Sequence, residues 1–409
     1  MLQNSLRKFI YTQSTNRTDT FVGIKCEQGN LKIYLPVGFR LDKNDSVLRK
    51  DLLMLLNAIK YTADKKSSDN IDARSVQNDF NCRFFPIASF LYVISDYLKR
   101  GYYKDREVTF SKSKRGKIHW GKTVKHIKPF IKNNEAYYLN FVVRKMPLSD
   151  NELVTLIHEY CVYESFLKMG WLYTSCLPKK PKIKFSKTLF VNALKNKYLN
   201  TFIEDNKILF FHLMKIVECC GEDINNNDYI FGTDRFEYVW EALIDEVFGI
   251  KNKSDYFPNT KWNLNGRNSL YSNASLEPDT IMISDDKIYI LDAKYYKYGL
   301  TGRCNDLPGS SSINKQITYG EFAAQLGQFK DNNIYNAFLM PFSKQKWNCS
   351  EPFLYIGDAT SDWKSNNYAY EQIKGILVDT NYLLKAFSIK DNSSISRLSL
   401  LIEDSFRTS

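Results

Sequence analysis

Two short apolar runs around one tight turn constrain the fold of this chain more than any other feature. The runs are TIMI at residues 280–283 and IYIL at residues 288–291, and Asp285-Asp286 lies between them. Runs rich in β-branched residues and joined by two turn residues predict a β-hairpin, in which Ser284 pairs with Lys287. Both faces of the two strands are apolar, which indicates a sheet that is covered on each side.

The open end of this hairpin carries three charges. In the register set by the turn, Asp279 falls directly opposite Asp292, with the two Cβ atoms about 4.5–5.5 Å apart. Lys294 follows two residues later and shares their face. Two carboxylates at this separation repel each other unless one is protonated or a cation lies between them. The alternative is a cross-strand Asp–Lys arrangement at the surface, which does not suit strands that are apolar on both faces.

A divalent cation would remove the repulsion. Mg²⁺ takes oxygen ligands and keeps positions for water and for phosphate oxygens. Lys294 beside such an ion can orient or deprotonate an attacking water, or stabilise charge on a phosphate. The three residues therefore predict metal-assisted hydrolysis of a phosphodiester, with Asp279 and Asp292 as metal ligands.

The charge of the chain fits a polyanionic partner. Its formal net charge is +12 over 409 residues, and a chain this basic often meets nucleic acid. Residues 101–132 hold ten Lys or Arg and two acids, and the apolar residues Ile118, Trp120, Val124 and Ile127 interleave with the basic ones. This segment either contacts phosphates or a protein partner, or is a solvated lysine-rich face.

The N-terminal half predicts a β-hairpin followed by helices. Residues 20–40 form the hairpin, with a turn at residues 28–30. Apolar residues at helical spacing predict helices over residues 46–62, 83–100, 149–172 and 188–220. Ser149 and Glu152 fit a capping box for the third of these helices. His158 lies on the apolar face of that helix, where we expect a packed histidine rather than a catalytic one.

The C-terminal half predicts an α/β (α+β) domain with a mixed sheet flanked by helices. A helix is expected over residues 229–249, capped by Thr233 and ended by Gly249. The hairpin, a helix over residues 313–328 and strand-like runs at residues 334–342, 352–357 and 373–380 follow. We place the domain boundary between residues 205 and 206. Residues 1–205 then form a separate N-terminal domain of a β-hairpin plus helices, and residues 206–409 form the second domain.

The hairpin motif resembles that of the PD-(D/E)xK nuclease superfamily: Pro278-Asp279, a spacer, then Asp292-Ala293-Lys294. The resemblance implies a further acid on the preceding helix, where Glu237 and Glu241 share one face; we favour Glu237, and the alternative is that these are solvated helix charges. It also implies functional residues on the following helix. The candidates there are Lys315, Gln316 and Tyr319, which are otherwise ordinary polar positions of an amphipathic helix.

Longer strings are similar to the LlaJI family of restriction endonucleases. DAKYYKYG and LPGSSSINKQITYGEF carry the strongest likeness, and EYCVYESFLKMGWL and RGKIHWGKTVK extend it, so that it spans residues 110–380. That family is similar to McrC, the nuclease subunit of McrBC-type systems. The resemblance implies a Mg²⁺-dependent endonuclease acting on double-stranded DNA, with residues 206–409 as the PD-(D/E)xK domain.

The same resemblance implies a McrB-like AAA+ GTPase as partner. The sequence contains no GxxxxGK[ST] motif, so a nucleotide-driven step is expected from another polypeptide. Residues 1–205 would then dock on that partner or contact DNA. By analogy the role is restriction of foreign DNA, and dimerisation would supply the two active sites that cutting both strands requires.

Other functions fit parts of this pattern. A repair or recombination nuclease would share the fold and the site. A non-cleaving DNA-binding subunit that stimulates an AAA+ ring would keep the basic surface and use the acids structurally. A glycosidase-type carboxylate pair gives Lys294 no role. Scattered cysteines without a CxxC, and the absence of a signal peptide or a long apolar run, predict a cytoplasmic protein without a membrane span.

Overall fold

The computed structural model describes most of the chain. The described residues are 9–13, 20–69, 85–106, 109–133, 135–145, 148–149, 152–174, 176–220, 228–265, 270–272, 275–365, 367–389 and 392–407.

The strands and helices are numbered along the chain. The strands are β1 (Ile10–Gln13), β2 (Val22–Glu27), β3 (Asn30–Leu35), β4 (Asp105–Arg106), β5 (Thr109–Ser113), β6 (Lys117–Ile118), β7 (Phe130–Lys132), β8 (Glu135–Tyr137), β9 (Phe141–Lys145), β10 (Leu148–Ser149), β11 (Tyr229–Thr233), β12 (Lys261–Asn263), β13 (Leu270–Ser272), β14 (Thr280–Ser284), β15 (Lys287–Ala293), β16 (Ile334–Phe342), β17 (Phe353–Ala359) and β18 (Ile373–Asp379). The helices are α1 (Asp45–Asp69), α2 (Ile87–Arg100), α3 (Trp120–His126), α4 (Leu153–Met169), α5 (Lys187–Asn200), α6 (Glu204–Cys220), α7 (Phe236–Phe248), α8 (Tyr298–Thr301), α9 (Ser310–Gln325), α10 (Thr380–Ile389) and α11 (Ser393–Arg407).

The described residues form two compact units. The middle unit lies within residues 84–226, and the outer unit combines residues within 4–83 with residues within 227–409. The N-terminal segment joins the C-terminal one because β2 pairs with β11 in the order β1-β3-β2-β11. The boundary expected between residues 205 and 206 stays a prediction, and the observed division differs from it by grouping the N-terminal hairpin with the outer unit.

The outer unit is built on a five-stranded mixed sheet in the order β14-β15-β16-β18-β17. β15, β16 and β18 run parallel, and β14 and β17 run antiparallel to their neighbours. The mixed α/β architecture expected for this half of the chain is confirmed. The register of the hairpin is also confirmed, since Ser284 pairs with Lys287 across a two-residue turn and Thr280 pairs with Leu291.

Helices cover this sheet on both faces. Ile288 and Ile290 of β15 pack with Tyr319 and other buried residues of α9. Tyr289, which lies between them, points to the other face, where its hydroxyl donates to Glu403 of α11 at 2.6 Å. Because successive side chains of a strand alternate between faces, α9 and α11 lie on opposite sides of the sheet. Each buried aliphatic side chain contributes about 1.5–3 kcal/mol to this core.

The middle unit is mainly helical. α4 and α6 pack on α2, and α5 packs on α4 and α6. His158 of α4 is fully buried, and its Nδ1 accepts the backbone N–H of Tyr103 at 2.8 Å. The prediction of a packed histidine is therefore confirmed. The basic segment contributes β5, β6, α3 and β7, whose β5-β9-β6 sheet carries many exposed side chains.

Three local expectations were wrong. Ser149 pairs with Asp105 in a short ladder instead of capping a helix, and the cap residue Glu152 makes no side-chain cap bond. Residues 229–233 form β11 rather than a helical turn because β2 pairs with them, so that Thr233 precedes α7. The helical pattern at 188–220 is interrupted between α5 and α6. Gly249 does end α7, where its N–H donates to Asp245.

The described helices include none that is long and apolar enough to cross a membrane.

Candidate active site

Asp292 and Lys294 form an ion pair at the carboxyl end of β15. The Nζ of Lys294 lies 2.6 Å from Oδ2 of Asp292, whose side chain is 6% exposed. The backbone N–H of Lys294 continues the sheet by donating to the carbonyl of Leu339 in β16 at 2.9 Å. Burial by itself lowers the pKa of Lys294, but the charges of Asp292 and Asp279 outweigh it and raise the pKa. Lys294 therefore carries a proton that it can donate.

Asp279 lies just before β14, outside the paired residues of the hairpin. The register of the ladder continued by one residue places Asp279 opposite Asp292, as expected, although the paired residues end at Thr280 and Leu291. Oδ2 of Asp279 accepts the backbone N–H of Ala293 at 2.8 Å. This bond brings its carboxylate to the chain segment between Asp292 and Lys294.

Burial, followed by the charges of Asp292 and Glu241, raises the pKa of Asp279 to about 8. The N–H of Ala293 and the ammonium of Lys294 act in the opposite direction without cancelling it. The repulsion expected between the two carboxylates is thus present in the folded chain. The raised pKa of Asp279 shows that its charged form is disfavoured by this burial and repulsion.

The two candidate acids of α7 influence the pKa values of different residues. The charge of Glu241 acts on Asp279 and raises its pKa. The charge of Glu237 acts on Tyr295, whose pKa is raised mainly by burial. This difference favours Glu241 over Glu237 as the helix residue that takes part in the site.

The three candidates on α9 lie in different environments. Gln316 is buried, and its Nε2 donates to the carbonyl of Ile290 at 2.7 Å and to Asn336 at 3.2 Å. Tyr319 is buried beside the hairpin, and its hydroxyl donates to the carbonyl of Glu277 at 2.9 Å. Lys315 is exposed, with its Nζ 5.5 Å from the centre of the Tyr319 ring.

The pKa of Tyr319 is affected by the charges of the hairpin acids. Burial raises its pKa, and the charges of Asp292 and Asp279 raise it further. The structure therefore places Tyr319 near the hairpin acids and ties its hydroxyl to the segment that leads into Pro278-Asp279.

Sequence reasoning missed the residues that hold the acids in place. Lys253 donates to the carbonyl of Asp279 and pairs with Asp245 of α7 at 2.8 Å. Tyr295, which follows Lys294, is half-buried and contacts the ring of Trp240, and its hydroxyl accepts the N–H of Val37 at 2.7 Å. The two tyrosines directly after the DAK motif were the sequence signal for the contact made by Tyr295. No local pattern pointed to the contact that Lys253 makes with Asp279.

The donor set fits a Mg²⁺ ion held by few protein ligands. Within the described part of the chain, no three His, Cys, Asp or Glu side chains converge as a metal cage. Two carboxylates do come together, the buried Asp292 and the half-buried Asp279, and the pKa of Asp279 is raised to about 8. Mg²⁺ usually binds through one or two carboxylates and completes its shell with water and phosphate oxygens. Asp279 and Asp292 match that requirement.

Comparison with known proteins gives one family. The family model described as LlaJI restriction endonuclease matches residues 21–356 of the 409 residues. The candidate residues on α7, on the hairpin and on α9 all lie inside this range. No curated protein matches the chain.

Proposed function

Because the chain belongs to the LlaJI restriction endonuclease family, we propose that it is a Mg²⁺-dependent endonuclease and the cleaving subunit of a McrBC-like restriction system. Membership in the family indicates a nuclease that acts on DNA in a restriction system. We further propose that cleavage depends on Mg²⁺, that the fold is of the PD-(D/E)xK type, and that the residues act as follows.

One observation carries the chemistry: Asp279, Asp292 and Lys294 meet at the open end of the hairpin. The N–H of Ala293 fixes Asp279 there, and the ion pair with Lys294 fixes Asp292. A sheet that carries this set at the end of an antiparallel hairpin, next to parallel strands and helices on both faces, supports the PD-(D/E)xK assignment.

The roles follow from the charges. Asp279 and Asp292 would hold the ion, with Glu241 as the candidate third acid. A bound Mg²⁺ supplies activation of the attacking water and neutralises charge on the phosphate. Lys294 is protonated, so it donates to a phosphate oxygen or to the water rather than serving as the base. Tyr319 would fix the chain segment that precedes Asp279, because its hydroxyl donates to the carbonyl of Glu277.

The partner is proposed from the family resemblance in the sequence. A McrB-like AAA+ GTPase would supply the nucleotide-driven step. The middle unit, with its basic segment, is the candidate docking or DNA-contacting part. Double-stranded DNA is the substrate, and dimerisation would bring two sites to the two strands.

Plasmid cleavage in Mg²⁺ tests this function. Wild type is compared with Lys294→Ala, each with and without the AAA+ protein and GTP, and Lys251→Ala provides an exposed lysine of the same unit as control. We expect cleavage by wild type and by the control, and a loss of 100-fold or more in Lys294→Ala. Full cleavage by Lys294→Ala would overturn the site. No cleavage by wild type beside a GTP-hydrolysing partner would favour the non-cleaving subunit.

A further inference from the structure

A cleft in the outer unit has no role in the chemistry described so far. It has a volume of about 290 Å³ and lies between the loop at residues 38–41, the short helix α8 and the turn at residues 343–346. Arg40 and Lys346 line it, and its lining residues in the described part of the chain include no acid. The cleft is therefore a basic recess.

The cleft lies at the same edge of the sheet as the candidate active site. Lys294 bonds to Leu339 of β16, and β16 ends four residues before Lys346. The four residues from Leu339 to Ser343 span roughly 13 Å at about 3.3 Å per residue. At about 3.4 Å of axis per base step, this distance corresponds to about four nucleotides of a DNA strand.

The loop that carries Arg40 is held in one conformation. The N–H of Val37 donates to Tyr295, and the carbonyl of Val37 accepts from Thr380 at 2.8 Å. The N–H of Arg40 donates to Asn381 at 2.7 Å. Gly38 has φ +78°, and a Cβ there would lie 2.5 Å from Thr380 Oγ1, so only glycine fits. The recess is preorganised, and Tyr295 links it to Lys294.

Both cations keep donors for an anion. The side chain of Arg40 is 32% exposed, so part of its guanidinium is accessible from the cleft. Its Nη2 lies 3.8 Å from Asp42, which is longer than a hydrogen bond. Lys346 donates to the carbonyl of Leu300, and an ammonium has three protons to donate. A phosphate oxygen accepts well from both groups.

We propose that this cleft binds a backbone phosphate of the DNA strand being cut, within about four nucleotides of the scissile bond. The proposal rests on the nuclease function proposed above. A volume of about 290 Å³ lies just below the roughly 300–1,000 Å³ of small-molecule cavities, which suits a sugar–phosphate unit rather than a whole small-molecule ligand.

Binding of a fluorescent DNA duplex without Mg²⁺, measured by anisotropy over a range of salt concentrations, tests the cleft. The full chain is compared with Lys346→Gln and Arg40→Gln. Lys344→Gln is the matched control, since it removes the same charge from the same turn without lining the cleft. We expect three- to tenfold weaker binding for each cleft variant and a salt slope smaller by about 0.9, with less than a twofold change for the control.

The outcomes separate this site from the catalytic one. Equal weakening by Lys344→Gln and Lys346→Gln, or no weakening by the cleft variants, overturns the phosphate site, as does a wild type that binds no duplex at low salt. If the cleft variants bind weakly as expected but wild type never cuts DNA, the phosphate site stands and the nuclease function fails. Lys346 is exposed, so Lys346→Gln should fold normally, which thermal unfolding checks.

Discussion

Asp279 accepts a hydrogen bond from the backbone N–H of Ala293 at 2.8 Å, so the acid that precedes one strand is held by the residue between Asp292 and Lys294. The bond does not depend on the charge of a neighbouring side chain. It keeps the two carboxylates together although burial and mutual repulsion raise the pKa of Asp279 to about 8. A site that holds its acids against repulsion is ready for a cation.

The acids of α7 can be separated by mutation. Because the charge of Glu241 acts on Asp279 and that of Glu237 acts on Tyr295, Glu241→Gln should lower plasmid cleavage in Mg²⁺ by about 10-fold or more. Glu237→Gln should stay within about threefold of wild type. The two variants are matched in chemistry and lie one turn apart on one helix. The reverse order of effects would assign the role to Glu237.

Asp279 should make the metal-free protein less stable at alkaline pH. Its pKa is about 8 in the folded chain and 3.8 in the reference state. The folded state therefore binds more protons between these values, and stability falls as pH rises from about 4 to about 8. Asp279→Asn keeps an acceptor for the N–H of Ala293, but its stability should not fall over this pH range because asparagine does not titrate. In EDTA at pH 9 it should exceed wild type by about 2–5 kcal/mol in urea unfolding, and at pH 4 the two should agree. A parallel pH dependence would contradict the raised pKa.

Magnesium should stabilise the folded chain through both hairpin acids. At 100 times the dissociation constant, one bound ion contributes about 2.7 kcal/mol, which raises the thermal midpoint by about 5–10 °C. Asp279→Asn and Asp292→Asn should each abolish most of this shift. Asp285→Asn, at the exposed turn of the same hairpin, is the control, and asparagine tolerates its φ of 54°. A shift that survives in both active-site variants would place the metal elsewhere.

Substitutions of the adjacent residues Gln316 and Lys315 should affect the stability of the protein very differently. Gln316 donates to Ile290 and Asn336 in the core, so Gln316→Leu leaves buried acceptors unpaired and should cost about 1–3 kcal/mol in urea unfolding. Lys315 is exposed, and Lys315→Ala should change stability by less than about 0.5 kcal/mol. A Gln316→Leu protein with wild-type stability and no cleavage would instead indicate a direct role in catalysis.

His158 should make the middle unit sensitive to acid. Burial lowers its pKa to about 4 from 6.5, so the unfolded chain binds a proton that the folded chain does not. Stability is then complete above about pH 6.5 and falls by up to about 3 kcal/mol as the pH drops to 4. His158→Gln, which can still accept from Tyr103, should flatten this decline. The exposed His126→Gln should leave the pH profile unchanged, and a flattened profile there would contradict the assignment.

The hairpin was the most predictable part of the structure. A two-residue turn fixes register, and the apolar runs fix which residues are buried, so Ser284 and Lys287 were paired correctly from sequence. The same register places Asp279 opposite Asp292, but its bond to the backbone N–H of Ala293 was not predicted. Every residue except proline carries such a donor, so no residue type marks it.

Tertiary pairing explains most of the other differences. The run at residues 229–233 is short and apolar, and it forms a strand because β2 is available to pair with it. The predicted cap at Ser149 failed for the same reason: Ser149 pairs with Asp105 in a strand ladder, so it does not begin the helix. The choice of Glu237 over Glu241 stays a prediction, because helical spacing gives both residues one face but does not give their distances to the hairpin.

The pairing of β2 with β11 sets an order of events during synthesis. About 200 residues separate the two strands, which is roughly 10–40 s of translation at about 5–20 residues per second. The hairpin acids emerge later, and Thr380 and Asn381, which anchor the loop of Arg40, emerge later still. A nascent chain therefore lacks the anchored loop of Arg40 until residues 380 and 381 have been made, about nine tenths of the chain. Chains that terminate before residue 380 are therefore expected to lack the fixed conformation of this loop.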